Sequence, residues 1–310
     1  MRVNETLRLL REGQPAFGTW LQLCSPQAAR LLAAQGCFQW MLVDFEHTPV
    51  DYPTAATMFS SISDISQGRI TPLARVATGS VEQIKQALDC GAQGVIAPMV
   101  NTAEEAARVV RYARFPPEGE RGAGGLAPHL GFGVNRPDYL AQANRETLVA
   151  VQIETRQGVD NIASILAVPG LDMVFIGPND LHMSLGMPAK FWSADPQFLR
   201  AVHSVTAACQ DAGIPYGTLC RDTDAVRPRL SDGFTFVGIG SDAHFMLTHA
   251  GEQFGDLHDI PEPEETWCNR VGVFDQAHAA MAEPVSDRRP AQRSLAPVRA
   301  HEGLPREETT

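Results

Sequence analysis

Lysine is nearly absent from the chain, since only Lys85 and Lys190 occur among its 310 residues. An enzyme that works through a Schiff base needs a desolvated lysine amine in its active site. Lys85 falls in the middle of the helical segment QIKQAL, and Lys190 falls in a predicted loop. The sequence therefore argues against imine chemistry.

Other absences exclude further classes of protein. The six cysteines show no Cys-x-x-Cys spacing, so we expect reduced thiols in a cytoplasm and no disulfide scaffold. No apolar stretch reaches the roughly 18 residues that cross a bilayer, and residues 1–13 lack the apolar segment of a signal peptide. A formal net charge of −11 opposes binding to nucleic acid or to an anionic membrane. We expect a cytoplasmic protein with neither of these partners.

Short apolar runs recur along the chain, with helical segments between them. The predicted strands are Phe17–Leu21, Trp40–Val43, Ile70–Ala74, Gly94–Ala97, Leu148–Ile153, Met173–Ile176, Ile214–Leu219 and Phe234–Ile239. The clearest helices are predicted at Ser80–Asp89 and Thr102–Tyr112, each of which begins with a residue that can cap a helix. This alternation predicts an α/β fold, a (β/α)8 TIM barrel formed as a single domain by residues 1–255. An open doubly wound sheet is the alternative, but no Gly-x-Gly-x-x-Gly follows an early strand.

Two segments fall outside this repeat. Arg114–Gly133 is rich in glycine and proline, which predicts a long loop between the fourth and fifth strands. Residues 256–310 are polar and rich in proline. We expect residues 256–282 to form an extension, in which Trp267–Ala280 can dock as a helix, and residues 283–310 to form a flexible, disordered tail.

Titratable residues and other candidate site residues gather at the carboxyl ends of the predicted strands, where the chemistry of such a barrel lies. They are Trp20 after strand one, Asp44, Glu46 and His47 after strand two, Arg75 after strand three, Gln152 and Glu154 after strand five, and Gly177, Pro178, Asn179 and Asp180 after strand six. The opposite ends carry mostly turn residues, so we expect the functional site at the carboxyl ends.

Two of these carboxylates follow successive strands. Glu154 and Asp180 could converge on one hard cation such as Mg²⁺ or Mn²⁺, with positions left open for substrate oxygens. Alternatively, Glu154 forms an ion pair with Arg156 or with a neighbour in the barrel.

The histidine and the arginine allow two interpretations each. His47 either accepts a proton near neutral pH or serves as a structural hydrogen-bonding group. Arg75 either binds a carboxylate or a developing oxyanion, or pairs with Asp44 or Glu46, and these two roles are compatible.

Seven segments together resemble one known family. In chain order they read FGTWLQL, LVDFEHTP, PLARV, QIKQALDCGAQGVIAPMV, RFPPEGERG, VQIET and VFIGPNDL, and the match runs from about residue 5 to residue 250. They are similar to the HpcH/HpaI family of class II, metal-dependent pyruvate aldolases. The resemblance implies a carbon–carbon lyase that reversibly cleaves a 4-hydroxy-2-oxo acid to pyruvate and an aldehyde through a metal-bound enolate.

The resemblance also assigns roles at the matching positions. It implies that Glu154 and Asp180 bind Mg²⁺, Mn²⁺ or Co²⁺, and that Arg75 stabilises the enolate oxygen. It makes His47 the acid and base of aldol cleavage, and it gives Asp89 the role of raising the basicity of His47.

The remaining residues receive supporting roles by the same resemblance. Trp20, Gln152, Gly177, Pro178 and Asn179 would contact the substrate, and Asp44 and Glu46 would support the residues that touch it. The partners would be a small 2-oxo acid and an aldehyde, and the protein would be a homo-oligomer, often a hexamer in this family.

Because the sequence departs from the family pattern at two places, it does not identify the aldehyde. The loop after RFPPEGERG reads AGGLAPHLGFG, and His182 stands where the family usually has serine after the GPxDL motif. Three alternatives to aldol cleavage therefore remain open. One is oxaloacetate decarboxylation or another carbon–carbon bond formation with the same enolate, as in macrophomate synthase. The others are a lyase that acts on a CoA ester and a non-catalytic barrel that binds an oxo acid.

Overall fold

The predicted strands close into one barrel, in which each strand pairs in parallel with the next and the last pairs with the first. The computed structural model describes residues 2–124 and 133–254. The strands are β1 Ala16–Leu21, β2 Trp40–Asp44, β3 Thr71–Arg75, β4 Gly94–Ala97, β5 Leu148–Ile153, β6 Met173–Ile176, β7 Tyr216–Cys220 and β8 Phe236–Ser241. The predicted (β/α)8 barrel is confirmed, and the open sheet is excluded. The expected extension and tail after residue 255, and the centre of the predicted long loop, lie outside the described residues.

The helices are α1 Glu5–Arg11, α2 Pro26–Gln35, α3 Tyr52–Ile65, α4 Val81–Asp89, α5 Ala103–Ala113, α6 Arg136–Glu146, α7 Arg156–Asp160, α8 Ile162–Leu166, α9 Pro178–Ser184, α10 Pro196–Ala212, α11 Thr223–Ser231 and α12 Asp242–Phe254. Helices α2 to α11 connect the strands, whereas α1 precedes the first strand and α12 follows the last. Helices α4 and α5 begin as their sequences predict. Ser80 caps α4, and Thr102 and Glu105 form the reciprocal capping box of α5. In the described ranges, we find no helix that is both long enough and apolar enough to cross a bilayer.

Aromatic rings fill the inside of the barrel. Trp40 stacks on Phe236 with ring centroids 4.1 Å apart and an interplanar angle of 8°, and Phe175 meets Phe236 edge-on at 6.2 Å. Gly18 allows the Trp40 ring to lie directly against β1, because a Cβ added at Gly18 would come 2.1 Å from that ring. The barrel interior is therefore a packed core and not a channel.

Helix α1 closes the amino end of the barrel. Leu7 and Leu10 are buried in the same inner cluster as the barrel residues. The Asn4 side chain donates to the carbonyl groups of Gln93 and Glu146, both at 3.0 Å, which ties α1 to the starts of β4 and β5. Only the carboxyl end of the barrel is left open for a ligand.

Replacing Gly18 with alanine should destabilise the protein by about 3 kcal/mol, because the new methyl group has to displace a buried indole. Urea unfolding followed by circular dichroism measures this. Gly251→Ala is the matched control, because nothing lies within 4 Å of a Cβ at that helical position. Equal stability of the two variants would show that the contact between β1 and Trp40 is looser than the structure indicates.

Candidate active site

The open end of the barrel contains a cavity of about 350 Å³. The predicted site residues that line it are Trp20, His47, Arg75, Gln152, Gly177, Pro178, Asn179 and Asp180. They come from the ends of β1, β2, β3, β5 and β6, so five separate strands deliver them to one place. The remaining predicted residues at the strand ends, Asp44, Glu46 and Glu154, lie behind this lining.

Asp44 and Arg75 form the most deeply buried ion pair at the open carboxyl end of the barrel, which we call the mouth. Asp44 is fully buried and Arg75 is 7% exposed. Arg75 Nε donates to Asp44 Oδ1 at 2.9 Å, and Arg75 Nη2 donates to Oδ2 at 2.6 Å. Burial acts to raise the pKa of Asp44, but the hydrogen bonds and charge of Arg75 outweigh it and lower that pKa. Asp44 is therefore a fixed anion that orients the guanidinium.

The same carboxylate shapes the turn that follows β2. Asp44 Oδ1 accepts from the backbone N–H of Glu46 at 3.1 Å and from that of His47 at 3.3 Å. Gln22 Nε2 donates to Asp44 Oδ2 at 3.3 Å from the end of β1. The two titratable residues after β2 are thus held by the residue that ends the strand.

Glu46 lies between the arginine and the histidine. Its Oε2 is 3.2 Å from Arg75 Nε and 3.8 Å from His47 Nε2. Burial raises the pKa of Glu46, Arg75 opposes this, and the charges of Asp44 and Asp180 add to it. The His47 side chain is 57% exposed, so its ring has solvent on one side and the cavity on the other.

The Trp20 ring packs against the guanidinium group of Arg75. The Arg75 guanidinium carbon lies 4.3 Å from the centroid of the Trp20 ring, which is a cation–π contact. Trp20 in turn meets Phe175 edge-on at 5.8 Å. With Asp44 on one side and an aromatic face beneath, the Arg75 head group is fixed in position before a substrate arrives.

Glu154 is the most perturbed carboxylate of the site. It is 1% exposed, and it accepts from the Met99 backbone N–H at 2.8 Å and from the Gln152 side chain. Burial raises the pKa of Glu154 to about 7; these two hydrogen bonds lower it, and the charges of Asp180 and Glu46 raise it. The alternative ion pair with Arg156 is not found among the described residues.

Gly177 makes room for this carboxylate. A Cβ at Gly177 would come 2.2 Å from Glu154 Oε2 and 2.8 Å from Gln152 Nε2. Helix α9 begins at the next residue and carries Asn179 and Asp180 in its first turn. The glycine therefore lets Asp180 and Glu154 approach the same space.

The donor set fits a hard divalent cation held by few protein ligands. Glu154 and Asp180 supply carboxylates, and the buried Gln152 Oε1 has no hydrogen-bond partner among the described residues. No group of three or more His, Cys, Asp and Glu suited to a metal is found within the described ranges. A cation here would take its remaining ligands from water or substrate, an arrangement that Mg²⁺ commonly adopts.

Asp89 does not join the predicted site within one chain. Because β3 and β4 are parallel, α4 runs back from the carboxyl ends of the strands towards their amino ends, and Asp89 is its last residue. Its carboxylate accepts from Arg121 Nη2 at 2.8 Å. The direction of α4 separates Asp89 from His47, and the acidic group beside His47 is Glu46.

His182 lies behind the cavity and does not line it. It is 1% exposed, its Nδ1 lies 2.7 Å from the Pro178 carbonyl oxygen, and its Nε2 lies 2.8 Å from Ser193 Oγ. Since a carbonyl only accepts, Nδ1 donates to it, and Nε2 shares a hydrogen bond with the serine hydroxyl group. The ring also stacks on Phe198 at 3.8 Å. This unusual histidine anchors α9 to the segment before α10.

The sequence did not point to several residues of the cavity wall. They are Gln22, Phe191, Leu219, Arg221, His244 and Leu247. The available signal for Arg221 was its place directly after the seventh strand, at the carboxyl end where the other site residues lie.

Metal-free protein should lose stability as the pH rises through the range in which Glu154 titrates. The pKa of Glu154 rises from 4.5 in the unfolded chain to about 7 in the folded protein, so the folded protein binds this proton more tightly than the unfolded chain does. The stabilisation is complete below the unfolded value and is lost as the pH rises towards 7. At pH 8, Glu154→Gln should be more stable than the parent by on the order of 3 kcal/mol.

Thermal unfolding in EDTA between pH 5 and pH 8 measures this difference. Glu82→Gln, which removes an exposed carboxylate from the first turn of α4, is the control. Parallel pH profiles for the parent and Glu154→Gln would contradict the raised pKa.

The barrel and its open end define a class of enzyme. In this class, carboxylates at the strand ends leave space for a cation. An arginine and a histidine lie at the rim of that space. The profile of the HpcH/HpaI aldolase/citrate lyase family matches residues 16–249, and the chain belongs to this family. The prediction of a carbon–carbon lyase of this family is thereby confirmed.

Individual relatives agree with the family. The 4-hydroxy-2-oxo-heptane-1,7-dioate aldolase of Klebsiella pneumoniae is 39% identical over 241 residues, which cover 78% of this chain and 89% of that protein. A solved HpcH/HpaI aldolase/citrate lyase family protein from Burkholderia cenocepacia has a TM-score of 0.77 and 32% identity, and covers 83% of this chain and 100% of its own. A solved citrate synthase has a TM-score of 0.71 and 26% identity, with 84% of this chain and 100% of its own covered.

Proposed function

We propose that the protein reversibly cleaves a 4-hydroxy-2-oxo acid to pyruvate, or a related 2-oxo acid, and an aldehyde through the enolate of the oxo acid. The observation that carries this proposal is the buried Glu154, which packs against Gly177 and whose pKa is raised by the charge of Asp180, behind the cavity that Asp180 and Arg75 line. Such a site can hold a cation and stabilise negative charge on a neighbouring oxygen. The name of the Klebsiella pneumoniae relative supports the same reaction.

The cation site consists of Glu154 and Asp180. When bound there, Mg²⁺, Mn²⁺ or Co²⁺ would act as a Lewis acid on the carboxylate and ketone oxygens of the oxo acid. Gln152 and the Gly177–Asn179 backbone border this space and are proposed to orient the oxo acid. Since both protein ligands are carboxylates, proton loss from Glu154 is part of preparing the site.

Arg75 is proposed to stabilise the enolate oxygen. Two of its five N–H groups are committed to Asp44, which leaves others for the substrate. Because Asp44 and the Trp20 face already hold the guanidinium, little reorganisation is needed as charge develops in the transition state.

His47 is proposed to carry the proton of the substrate hydroxyl group. Its ring lines the cavity and is also open to solvent, so it can exchange protons with water. The group that orients it within one chain is proposed to be Glu46, 3.8 Å away. No such role is proposed for Asp89 within the same chain.

The same enolate could instead be used for bond formation or arise from oxaloacetate decarboxylation. The likeness to a citrate synthase favours keeping this second function. Incubation with oxaloacetate and Mn²⁺ separates the two, because decarboxylation much faster than aldol cleavage would make it the main reaction.

The proposal includes a homo-oligomer in the cytoplasm. Met246 and Phe254 of α12 are 63% and 69% exposed, so they are available for a contact with another subunit. The cysteines of the described residues are unpaired, which supports a reducing compartment. Light scattering tests the assembly.

With Mg²⁺, Mn²⁺ or Co²⁺ present, the protein should exchange the methyl protons of pyruvate for deuterium in D₂O. EDTA or Glu154→Gln should reduce the exchange to the uncatalysed background, because the enolate is no longer stabilised. Proton NMR follows the methyl signal, and Glu82→Gln is the control. Undiminished exchange after chelation would rule out a metal-dependent enolate.

His47→Gln should lower kcat for aldol cleavage by about 10²- to 10⁴-fold, the usual contribution of a general acid or base. It should leave Mn²⁺ affinity within about threefold of the parent, since His47 is not a proposed ligand. Steady-state kinetics and Mn²⁺ titration give the two values, and His249→Gln, on an exposed histidine of α12, is the control. Equal losses of turnover and metal affinity would make His47 a structural residue.

A further inference from the structure

One wall of the cavity contains none of the residues that have a role so far. It is formed by β7, β8 and the first turns of α12, and its side chains are Leu219, Arg221, Ser241, His244 and Leu247. We propose that Arg221 forms an anion-binding subsite for the aldehyde, so that the preferred aldehyde carries a carboxylate or phosphate group remote from its carbonyl. This inference rests on the proposed function.

Arg221 comes directly after β7 and lines the cavity. Leu219 packs against the inner aromatic cluster of the barrel, whereas Cys220 belongs to the outer core and its Sγ contacts the Ala225 carbonyl at 3.6 Å. β7 ends at Cys220, and Arg221 is the first residue after it. Arg221 and Leu219 both line the cavity.

The Arg221 guanidinium is uncommitted. In the part of the chain that the structure describes, it forms no ion pair or hydrogen bond, although it is half-buried. The adjacent Asp222 is engaged elsewhere, because its Oδ1 accepts from the Ala225 N–H at 3.0 Å to cap α11. Arg75, the other arginine of the cavity, has Asp44 and Glu46 as partners. Unlike Arg75, Arg221 thus has its whole guanidinium available for a ligand, as far as the described residues show.

The surroundings of Arg221 favour an anion. Among the described residues that line the cavity, Asp180 alone is acidic, and it lies on α9. Leu219 and Leu247 add apolar surface to the same cavity, which strengthens a charged contact there by excluding water. Ser241 and His244 add polar side chains on the same wall.

The strand register gives the separation between this subsite and the cation site. β5 pairs with β6, and β6 pairs with β7 through Ile176 and Thr218. Two strand spacings therefore separate the end of β5, with Glu154, from the end of β7, and this is about 10 Å. A substrate that forms its enolate near Glu154 can extend an anionic group towards Arg221, which makes the contact dependent on chain length.

The test compares matched acceptors with pyruvate and Mn²⁺ in the full-length protein. Unbranched aldehydes with two to five carbons and a terminal carboxylate are compared with neutral aldehydes of the same length. Glyceraldehyde 3-phosphate is compared with glyceraldehyde. The parent should prefer the anionic member of at least one pair, measured as kcat/KM by product NMR.

Arg221→Met should lower kcat/KM for the preferred anionic aldehyde by about 10- to 100-fold, mainly through KM, as expected for a lost hydrogen bond to a charged group. It should change the values for neutral aldehydes by less than about threefold. Arg221→Lys should keep part of the preference. Arg227→Met, which removes an exposed charge from the neighbouring helix α11, should leave it unchanged.

The outcomes separate this inference from the proposed function. Exchange of pyruvate methyl protons needs no aldehyde, so absent exchange would contradict the proposed function itself. Normal exchange together with an equal loss for charged and neutral aldehydes in Arg221→Met would overturn the subsite, as would a parent enzyme with no preference. A preference for the phosphorylated pair identifies phosphate as the anion, and a preference for the carboxylated pairs identifies carboxylate.

Discussion

Two hydrogen bonds from Arg75 to Asp44 join the ends of β3 and β2, and both side chains are almost completely buried. An unpaired charge at this depth would be strongly destabilising, so each residue requires the other. The pair also fixes the turn after β2, since Asp44 accepts from the backbone of Glu46 and His47. The position of the proposed proton carrier therefore depends on the same interaction as the position of the proposed oxyanion-binding group.

The crowding of carboxylates in the site is a second constraint, and it acts against stability. Glu46, Glu154 and Asp180 bring negative charge into one partly buried space, and the pKa of Glu154 rises to about 7 as a result of burial and these neighbours. A protein gains no stability from such an arrangement, and carboxylates with pKa values raised in this way are characteristic of functional sites. A bound divalent cation would neutralise the repulsion and keep Glu154 ionised, which links metal uptake to proton release.

Most of the fold could be predicted from the sequence, because the strands of a parallel barrel are covered on both faces and appear as apolar runs. The strands β7 and β8 were predicted two residues early, since Ile214 and Phe234 are apolar but pack outside the ladder. The strand-end residues were grouped correctly because parallel strands deliver their ends to one side. Asp89 lies outside the cavity of its own chain, because its place depends on the direction of α4, which the strand pattern does not give. Arg221 was missed because a single arginine after a strand resembles any surface arginine until its neighbours are known.

The most direct test locates the cation. Crystals of the protein grown with Mn²⁺ and pyruvate, measured at a wavelength where manganese scatters anomalously, give the metal position without reference to activity. We expect one strong peak between the carboxylates of Glu154 and Asp180, with density for pyruvate on the side of Arg75. A peak elsewhere in the barrel, or pyruvate bound in the mouth with no metal beside these two carboxylates, would contradict the proposed mechanism.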